Sequence, residues 1–327
     1  LVETARLWAD LGYFSDRHGG RFVIQKVTGP DEYTTVVDNN LYTNLMAAEN
    51  MLMAADVVDR LREESPGEYR RLADRVALGP DETEGWRRAA DLIYVPYDST
   101  EQVHLQDEGF LDLEPWDFDE TPPEDYPLLL HYHPLVIYRH QVIKQADVEL
   151  ATVLLPGRFT PAERRRIFEM YDPLTTGDSS LSESIQAIAA SDVGKYRTAE
   201  EYLIDAMSVD MADTAGNVRD GVHVASAGGT WMSVVFGFGG FRWRTGGISF
   251  RPMLPTRARR LRFPLRVEGT TLRISIEAHE VTYTVEDGPG IEIVHYDEPV
   301  RVEPGQPLTF AGEFHTRDSD HHPMPAT

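Results

Sequence analysis

The sequence predicts two structural classes in succession, a helical part followed by a smaller antiparallel β part. Apolar residues recur at helical spacing from Leu1 to about Phe238. Beyond Gly246 the spacing changes to the alternation that is typical of strands. The 327 residues, 41% of them hydrophobic, are enough for two domains that each bury a core. We therefore expect a helical domain over residues 1–245, a β-domain over residues 246–312 and a tail over residues 313–327.

Composition limits the classes of function. The formal net charge of −23 disfavours nucleic acid as a partner, whereas a neutral ligand such as a sugar meets no repulsion. The absence of cysteine excludes disulfides and thiolate sites. Residues 1–11 do not resemble a signal peptide, and no apolar run approaches the roughly 18 residues of a membrane span. We expect a cytoplasmic protein without a membrane partner.

Helical spacing and breaking residues set the expected helices. Gly12 ends the first, Ser65-Pro66-Gly67 ends the second, and Thr160-Pro161-Ala162-Glu163 fits a capping box with proline at the first helical position. The expected helices are 1–11, 41–62, 69–78, 82–93, a helix from about Val142 to Pro156, 161–171, 181–190, 198–211 and 231–238. The expected strands are 261–267, 272–276, 281–285 and 291–294.

An acidic pair lies on a turn before the second helix. Gly29-Pro30 predicts a bend, which leaves the side chains of Asp31 and Glu32 free to project from the chain. A carboxyl group placed in this way can donate a proton, although on residue types alone an ordinary solvated turn is the better interpretation.

Two further segments offer groups for a ligand. Lys144 and Gln145 are expected in the first turn of their helix, where they can reach a ligand or simply be solvated. The segment from Thr175 to Ser180 brings hydroxyls to a helix N-terminus, which is suited to an anion, while capping of the helix is the simpler interpretation. His131-Tyr132-His133 does not have the spacing of a metal site, and we expect no metal or other cofactor.

The irregular segment 96–134 is long for a connection, which is typical of a functional or disordered loop. Its aromatic residues favour an ordered loop. Trp116 and Tyr126 could stack on sugar rings, or they could anchor the loop to the protein.

Four ordered motifs resemble glycoside hydrolase family 65, which includes maltose, trehalose and kojibiose phosphorylases. They are Gly29-Pro-Asp-Glu-Tyr33 with the following Asp38-Asn-Asn-Leu-Tyr-Thr-Asn44, Lys144-Gln-Ala-Asp-Val148, Asp178-Ser-Ser-Leu-Ser182, and Gly221-Val-His-Val-Ala-Ser-Ala-Gly-Gly-Thr-Trp231. The resemblance implies the second half of an (α/α)6 barrel followed by a small antiparallel β-domain.

The resemblance also implies roles for individual residues. Glu32 corresponds to the general acid, and Lys144 and Gln145 correspond to a pair that contacts the hydroxyls of bound glucose. The phosphate ligands of the family imply the same role for Ser179, Ser180 and His223. Many family members have histidine where this chain has Gly177.

The motifs cover only the C-terminal half of a family member. The resemblance implies that an N-terminal half, with a β-sandwich and a glucose-binding Trp-Asp pair, is supplied as a separate chain or as a cleaved fragment. It also implies a homodimer.

The activity implied is attack of inorganic phosphate, as co-substrate, on an α-linked glucose disaccharide, with inversion to β-glucose 1-phosphate. Glu32 would protonate the leaving oxygen, and we expect burial or the neighbouring Asp31 to keep it protonated near neutral pH. One alternative is an inverting α-glucosidase, in which Asp178 or Glu183 would be the base for water. Another is a non-catalytic carbohydrate-binding or scaffold protein.

Overall fold

The computed structural model describes residues 1–213, 218–244 and 247–316. Among these residues no helix is both long and apolar enough to cross a membrane. The chain divides into two compact units, which are described separately. The first unit comprises residues 1–151 and 173–178, and the second comprises residues 152–172 and the chain from residue 179 onward.

Helices are the main regular elements of the first unit. Its core is an alanine-rich cluster in which small side chains such as Ala47, Ala48 and Ala54 are fully buried, so the helices pack closely. The helices that belong to it or begin in it are α1 (Val2–Leu11), α2 (Leu41–Glu64), α3 (Pro66–Val76), α4 (Glu82–Asp91), α5 (Pro134–Ile137) and α6 (Val148–Leu154). Short paired strands lie between them: β1 (Tyr13–Ser15), β2 (Arg21–Val23), β3 (Tyr97–Asp98), β4 (Val103–His104), β5 (Glu114–Pro115) and β6 (His140–Gln141).

Two helix starts in the first unit differ from the predictions. Helix α3 begins at Pro66 rather than Tyr69, because proline fits the first turn, where its missing N–H is not needed. Helix α6 begins at Val148, so Lys144 and Gln145 lie in an extended segment before it. That segment is held instead by Ile143, which exchanges main-chain hydrogen bonds with Leu174 and Thr176 at 2.9 and 2.7 Å.

The second unit contains the remaining helices and the two larger sheets. Its helices are α7 (Pro161–Tyr171), α8 (Ser182–Asp192), α9 (Tyr196–Ser208) and α10 (Val224–Met232), which continues as a π-helix over Ser233–Phe238. The capping box predicted at Thr160 and Glu163 is present at the start of α7. The described strands are β7 (Arg242–Arg244), β8 (Gly247–Phe250), β9 (Arg260–Val267), β10 (Thr270–Glu277), β11 (Glu280–Asp287), β12 (Ile291–His295), β13 (Glu298–Val302) and β14 (Leu308–Ala311).

These strands form two four-stranded sheets, with the orders β14-β11-β10-β9 and β13-β12-β8-β7. Alternate side chains such as Leu272, Ile274 and Ile276 are buried in one shared hydrophobic cluster. The first sheet is antiparallel as expected, but β8 and β12 pair in parallel, which the long connection through β9, β10 and β11 allows.

Two expected boundaries concern the ends of the β-domain. Residues 313–316, assigned above to a tail, pack with the sheets: Phe314 is buried and its carbonyl accepts the N–H of Leu254 at 2.6 Å. Residues 317–327 lie outside the described residues, as do residues 245 and 246 at the expected domain boundary, which stays a prediction.

Candidate active site

The acidic turn places two adjacent carboxyl groups in opposite environments. Asp31 is fully buried, whereas the side chain of Glu32 is 54% exposed. The prediction that Glu32 is buried is therefore wrong within the first unit, because it is Asp31 that points inward. Of the two carboxyl groups, that of Glu32 is the one accessible from solvent.

Gly29 allows the turn to approach its neighbours closely. A Cβ atom built on Gly29 would lie 2.4 Å from both Asn40 Nδ2 and Asp147 Oδ2. Since real Cβ atoms do not approach other atoms so closely, this position requires glycine. The contact brings the main chain of the turn against a buried carboxyl group.

Lys144 and Gln145, which the sequence places together with Glu32, lie beside it in the structure. The ammonium group of Lys144 forms an ion pair with Glu32 Oε2. Gln145 Nε2 donates to the carbonyl of Pro30 at 2.6 Å. The proposed proton donor and the proposed sugar-binding pair are thus neighbours within the first unit.

A buried hydrogen-bond network lies behind this pair. Asp31 Oδ1 accepts the N–H groups of Tyr33 and Lys144 at 3.1 and 2.8 Å, and its Oδ2 accepts Gln106 Nε2 at 3.0 Å. Asp147, which is 2% exposed, accepts Asn40 Nδ2 at 3.1 Å and the Asp31 N–H at 3.3 Å through Oδ2. The network therefore joins the turn to the segment that contains Lys144.

Burial shifts the pKa values of the acids in this network. It raises the pKa of Asp31, against the opposing effect of the hydrogen bonds from Tyr33 and Lys144. Burial, reinforced by the charge of Asp31, raises the pKa of Asp147 to about 8. Burial also raises to about 6 the pKa of Asp107, a buried acid whose hydrogen bond from the Gly109 N–H does not belong to this network. Asp147 therefore holds a proton at neutral pH, which avoids two adjacent buried negative charges.

The last residue of the turn contacts Asp178. Tyr33 is fully buried, and its hydroxyl donates to Asp178 Oδ2, which also accepts the N–H of Leu128 at 3.1 Å. Burial, followed by the contact with Asp178, raises the pKa of Tyr33. This oxygen of Asp178 is therefore occupied by two protein donors.

Trp116 has a structural position. It is 9% exposed, and its indole N–H donates to Thr121 Oγ1 at 2.9 Å. It packs in a cluster with Tyr33 and Leu128, and Tyr126 packs against the same cluster. These contacts favour the interpretation that both aromatic residues anchor the loop.

The predicted phosphate ligands lie in the second unit, near the starts of two helices. Ser179 and Ser180 precede α8, and His223 is the N-cap residue of α10. The helices are in close contact, since a Cβ on Gly229 would lie 2.4 Å from Ser184 Oγ.

The contacts between these helices show that they run in the same direction. Ser184, near the start of α8, approaches Gly229 within α10, and Ser191 Oγ, near the end of α8, donates to the carbonyl of Gly237 at 3.0 Å in the π-helix that continues α10. The two N-termini, with Ser179 and His223 beside them, therefore lie at the same end of the helix pair. Helix N-termini carry partial positive charge and free N–H groups, which suit an anion.

The ring of His223 is oriented by Asp210. Its Nδ1 lies 2.6 Å from Asp210 Oδ1, and its main-chain N–H donates to Asp210 Oδ2 at 3.0 Å. The hydrogen bond to His223 lowers the pKa of Asp210. An ionised Asp210 accepts a hydrogen bond from the Nδ1–H group, so Nε2 is the nitrogen that can contact a ligand.

The backbone explains the glycine before Asp178. Gly177 has a φ of +71°, a left-handed conformation in which most side chains are strained. The residue type at this position therefore follows from the backbone conformation of the loop.

Glu183, the other candidate base, lies in the first turn of α8 and is largely withdrawn from solvent. Burial raises the pKa of its carboxyl, and the charge of Asp205 adds to this effect.

Sequence reasoning missed several residues of the site. Asp147 and Asn40 belong to the quoted motifs, but nothing in the pattern distinguishes a buried acid from a solvated one. Gln106 lies in the irregular segment, and Asp210 follows a helix without any local signal. Each acts through contacts between distant parts of the sequence.

Comparison with known proteins assigns both parts of the chain to one family. Residues 1–232 match the glycosyl hydrolase family 65 central catalytic domain, and residues 241–302 match the C-terminal domain of the same family. These matches agree with the resemblance of the four motifs.

Two curated relatives and one solved structure extend this result. An α,α-trehalose phosphorylase of Geobacillus stearothermophilus is 41% identical over 94% of this chain and 40% of its own length. A kojibiose phosphorylase of Caldanaerobacter subterraneus subsp. tengcongensis is 35% identical over 86% of this chain and 37% of its own length. A putative kojibiose phosphorylase from the human microbiome, 24% identical, has the same fold, with a TM-score of 0.84 over 94% of this chain and 40% of its own. The chain thus spans about two fifths of the relatives that it matches, and the expected fold class of helices followed by a β-domain is confirmed.

Proposed function

Because the chain belongs to glycoside hydrolase family 65, we propose that it forms part of an enzyme that cleaves an α-linked glucose disaccharide with inorganic phosphate. The observation that carries the proposal is the Glu32–Lys144 pair, an accessible carboxyl on the turn and an ammonium group on a segment that buried contacts hold against the turn. The names of the relatives, which are disaccharide phosphorylases, support the choice of reaction.

In the proposed mechanism, Glu32 donates its proton to the glycosidic oxygen as the bond from that oxygen to the anomeric carbon breaks. A phosphate oxygen attacks the same carbon from the opposite face, which inverts its configuration and gives β-glucose 1-phosphate. The second sugar leaves with the proton of Glu32, and solvent reprotonates the carboxylate. No protein base is needed, because phosphate is already a nucleophile.

The other site residues bind the two substrates in this proposal. Lys144 and Gln145 contact hydroxyls of the glucose unit. When Lys144 turns to the sugar, its ion pair with Glu32 is exchanged for hydrogen bonds to hydroxyls. Glu32 then lacks the cation that favours its ionised form, takes up a proton from solvent and can transfer that proton to the glycosidic oxygen. Ser179, Ser180 and His223 bind phosphate, which agrees with the helix N-termini beside them and with the orientation of His223.

The rest of the active site comes, in this proposal, from the part of the family's length that the chain does not span. The glucose-binding Trp-Asp pair belongs to that part, which is provided by further residues or by a second polypeptide. Exposed apolar side chains on α1, such as Leu7 and Leu11, support a covering segment. The assembly is proposed to be a homodimer, which light scattering of the whole enzyme would test.

The experiment is turnover of trehalose, maltose, kojibiose and nigerose by the whole enzyme, with and without phosphate. Formation of glucose 1-phosphate only when phosphate is present supports the proposal. Release of free glucose at the same rate without phosphate would overturn it.

The hydrolase alternative requires a base for water. Asp178 is poorly placed for this role, because its Oδ2 accepts hydrogen bonds from both Tyr33 and Leu128. Asp178→Asn keeps an acceptor for these donors but cannot take a proton from water. We expect the rate of phosphorolysis by this variant to be within about tenfold of wild type. A fall of about 10²- to 10⁴-fold in disaccharide turnover would favour the hydrolase.

A further inference from the structure

We infer that Asp31 is a positioning residue for the acid–lysine pair, with Asp147 as its buried partner. The inference rests on the proposed function. It assigns a role in the reaction to a residue that cannot itself contact the substrate, since Asp31 is fully buried.

Three contacts bind the turn to the segment that contains Lys144. Asp31 Oδ1 accepts the Lys144 N–H at 2.8 Å, and Gln145 Nε2 donates to the Pro30 carbonyl at 2.6 Å. Asp147 Oδ2 accepts the Asp31 N–H at 3.3 Å. Hydrogen bonds thus join the residues next to Glu32 to those next to Lys144. The side chains of Glu32 and Lys144 project from the backbone that these hydrogen bonds hold.

Asp31 has a central place among these contacts. A single oxygen, Oδ1, accepts the N–H of Lys144 and that of Tyr33, which directly follows Glu32. One carboxylate therefore determines the main-chain positions at both ends of the ion pair. Rotation of the turn about this point would move the proton donor relative to the sugar-binding amine.

Asp147 fixes the other side of Asp31. It contacts the amide of Asn40, whose Oδ1 caps α2 by accepting the Thr43 N–H at 2.8 Å. Asp147 and Asn40 thereby connect the turn to the start of α2, a 24-residue helix that is a rigid element. Such support matters because a misplacement of about 1 Å can reduce turnover about 10²-fold.

The test compares two substrates that differ in their need for a proton. A disaccharide releases a sugar, and the oxygen through which this sugar leaves must be protonated as the bond breaks. α-Glucosyl fluoride releases fluoride, which needs far less help from a proton donor. Phosphate attacks the same carbon in both cases. A residue that positions the proton donor should therefore affect the disaccharide much more than the fluoride.

For Asp31→Ala in the whole enzyme, kcat/KM for the disaccharide should fall about 10²-fold or more, while kcat/KM for α-glucosyl fluoride should fall less than about tenfold. Asp31→Asn keeps an acceptor for the two N–H groups and should recover most of the loss. Asp107→Asn is the control, because Asp107 is also a buried acid of the first unit, but its Oδ1 accepts the Gly109 N–H. Asp107→Asn should leave unchanged the ratio of kcat/KM for the disaccharide to kcat/KM for α-glucosyl fluoride.

Equal losses on both substrates would overturn the inference, since a purely structural role lowers the amount of active enzyme and not the ratio. Unchanged activity on both substrates would overturn it as well. Failure of the proposed function is a separate result, in which the wild-type enzyme itself shows no phosphate-dependent turnover. If the alanine variant does not fold, Asp31→Ser takes its place, because its polar side chain is too short to accept the Lys144 N–H, and the same selective loss on the disaccharide is expected.

Discussion

The acidic turn in the first unit and the paired helix starts in the second unit hold their candidate residues in different ways. Glu32 and Lys144 lie on segments joined by buried hydrogen bonds from Asp31, Asp147 and Gln145. His223, in contrast, is oriented by one partly exposed partner, Asp210, with both side chains 25% exposed. Under the proposed function, the residue that transfers a proton is therefore held by buried contacts, whereas the proposed phosphate site rests on helix ends and one oriented ring.

The largest expected effect removes the proton donor. Glu32→Gln keeps the size of the side chain and loses the transferable proton, so kcat for disaccharide phosphorolysis should fall about 10²- to 10⁴-fold. Turnover of α-glucosyl fluoride should largely survive. Unchanged disaccharide turnover would favour the non-catalytic carbohydrate-binding alternative.

Gly29→Ala tests the close approach behind the turn. The added methyl group would meet Asn40 and Asp147 at 2.4 Å, so the buried contacts must open. We expect a loss of about 1–3 kcal/mol in the free energy of unfolding, measured by urea denaturation, together with reduced turnover. Gly67→Ala is the matched control, because nothing lies within 4 Å of its Cβ position. Equal stability of the two variants would contradict the packing that we describe.

A smaller and more selective effect is expected at the second unit. His223→Ala removes the proposed phosphate contact, so KM for phosphate should rise about 10- to 100-fold while KM for the disaccharide changes little. Asp210→Asn should raise KM for phosphate less, because it disturbs only the orientation of the ring. If KM for the disaccharide rises instead, His223 belongs to the sugar site.

The last expected effect concerns the dependence of stability on pH. Because the pKa of Asp147 is about 8 in the folded chain and about 4 when unfolded, the folded state holds a proton that the unfolded state releases between these values. This contribution to stability therefore declines as the pH rises from about 4 to about 8. Asp147→Asn lacks the titration, so relative to wild type it should gain up to about 1.4 kcal/mol per pH unit in this window.

Urea denaturation of both proteins at pH 5 and pH 8 would measure this difference. A difference between variant and wild type that stays constant with pH would mean that Asp147 is ionised in both states, and that the buried pair is held in some other way.

The sequence predicted the elements of the fold better than the contacts of the site. Periodicity located α2, α7 and strands β9 to β12 closely, because their apolar faces and capping residues are local signals. It placed a helix start near Val142, since the apolar spacing around residues 142–155 does not reveal that Ile143 pairs with the distant chain at residues 174–176.

The same limit applies to the candidate site. Motifs brought Glu32, Lys144 and Gln145 together correctly, but residue types alone did not show that Asp31 is buried and Glu32 exposed. Both are acids on one turn, and they differ in tertiary contacts: Asp31 accepts buried hydrogen bonds from Lys144 and Gln106, whereas the side chain of Glu32 is 54% exposed. The roles assigned to Ser179, Ser180 and His223 stay predictions, supported by the shared direction of α8 and α10.

The most direct test of the account is the identity of the first product, observed by proton NMR as the whole enzyme acts on α,α-trehalose in phosphate buffer. The account predicts β-glucose 1-phosphate as the initial sugar phosphate, formed with one equivalent of free glucose and only in the presence of phosphate. Initial α-glucose 1-phosphate would contradict inversion, and two equivalents of glucose without any sugar phosphate would contradict phosphorolysis.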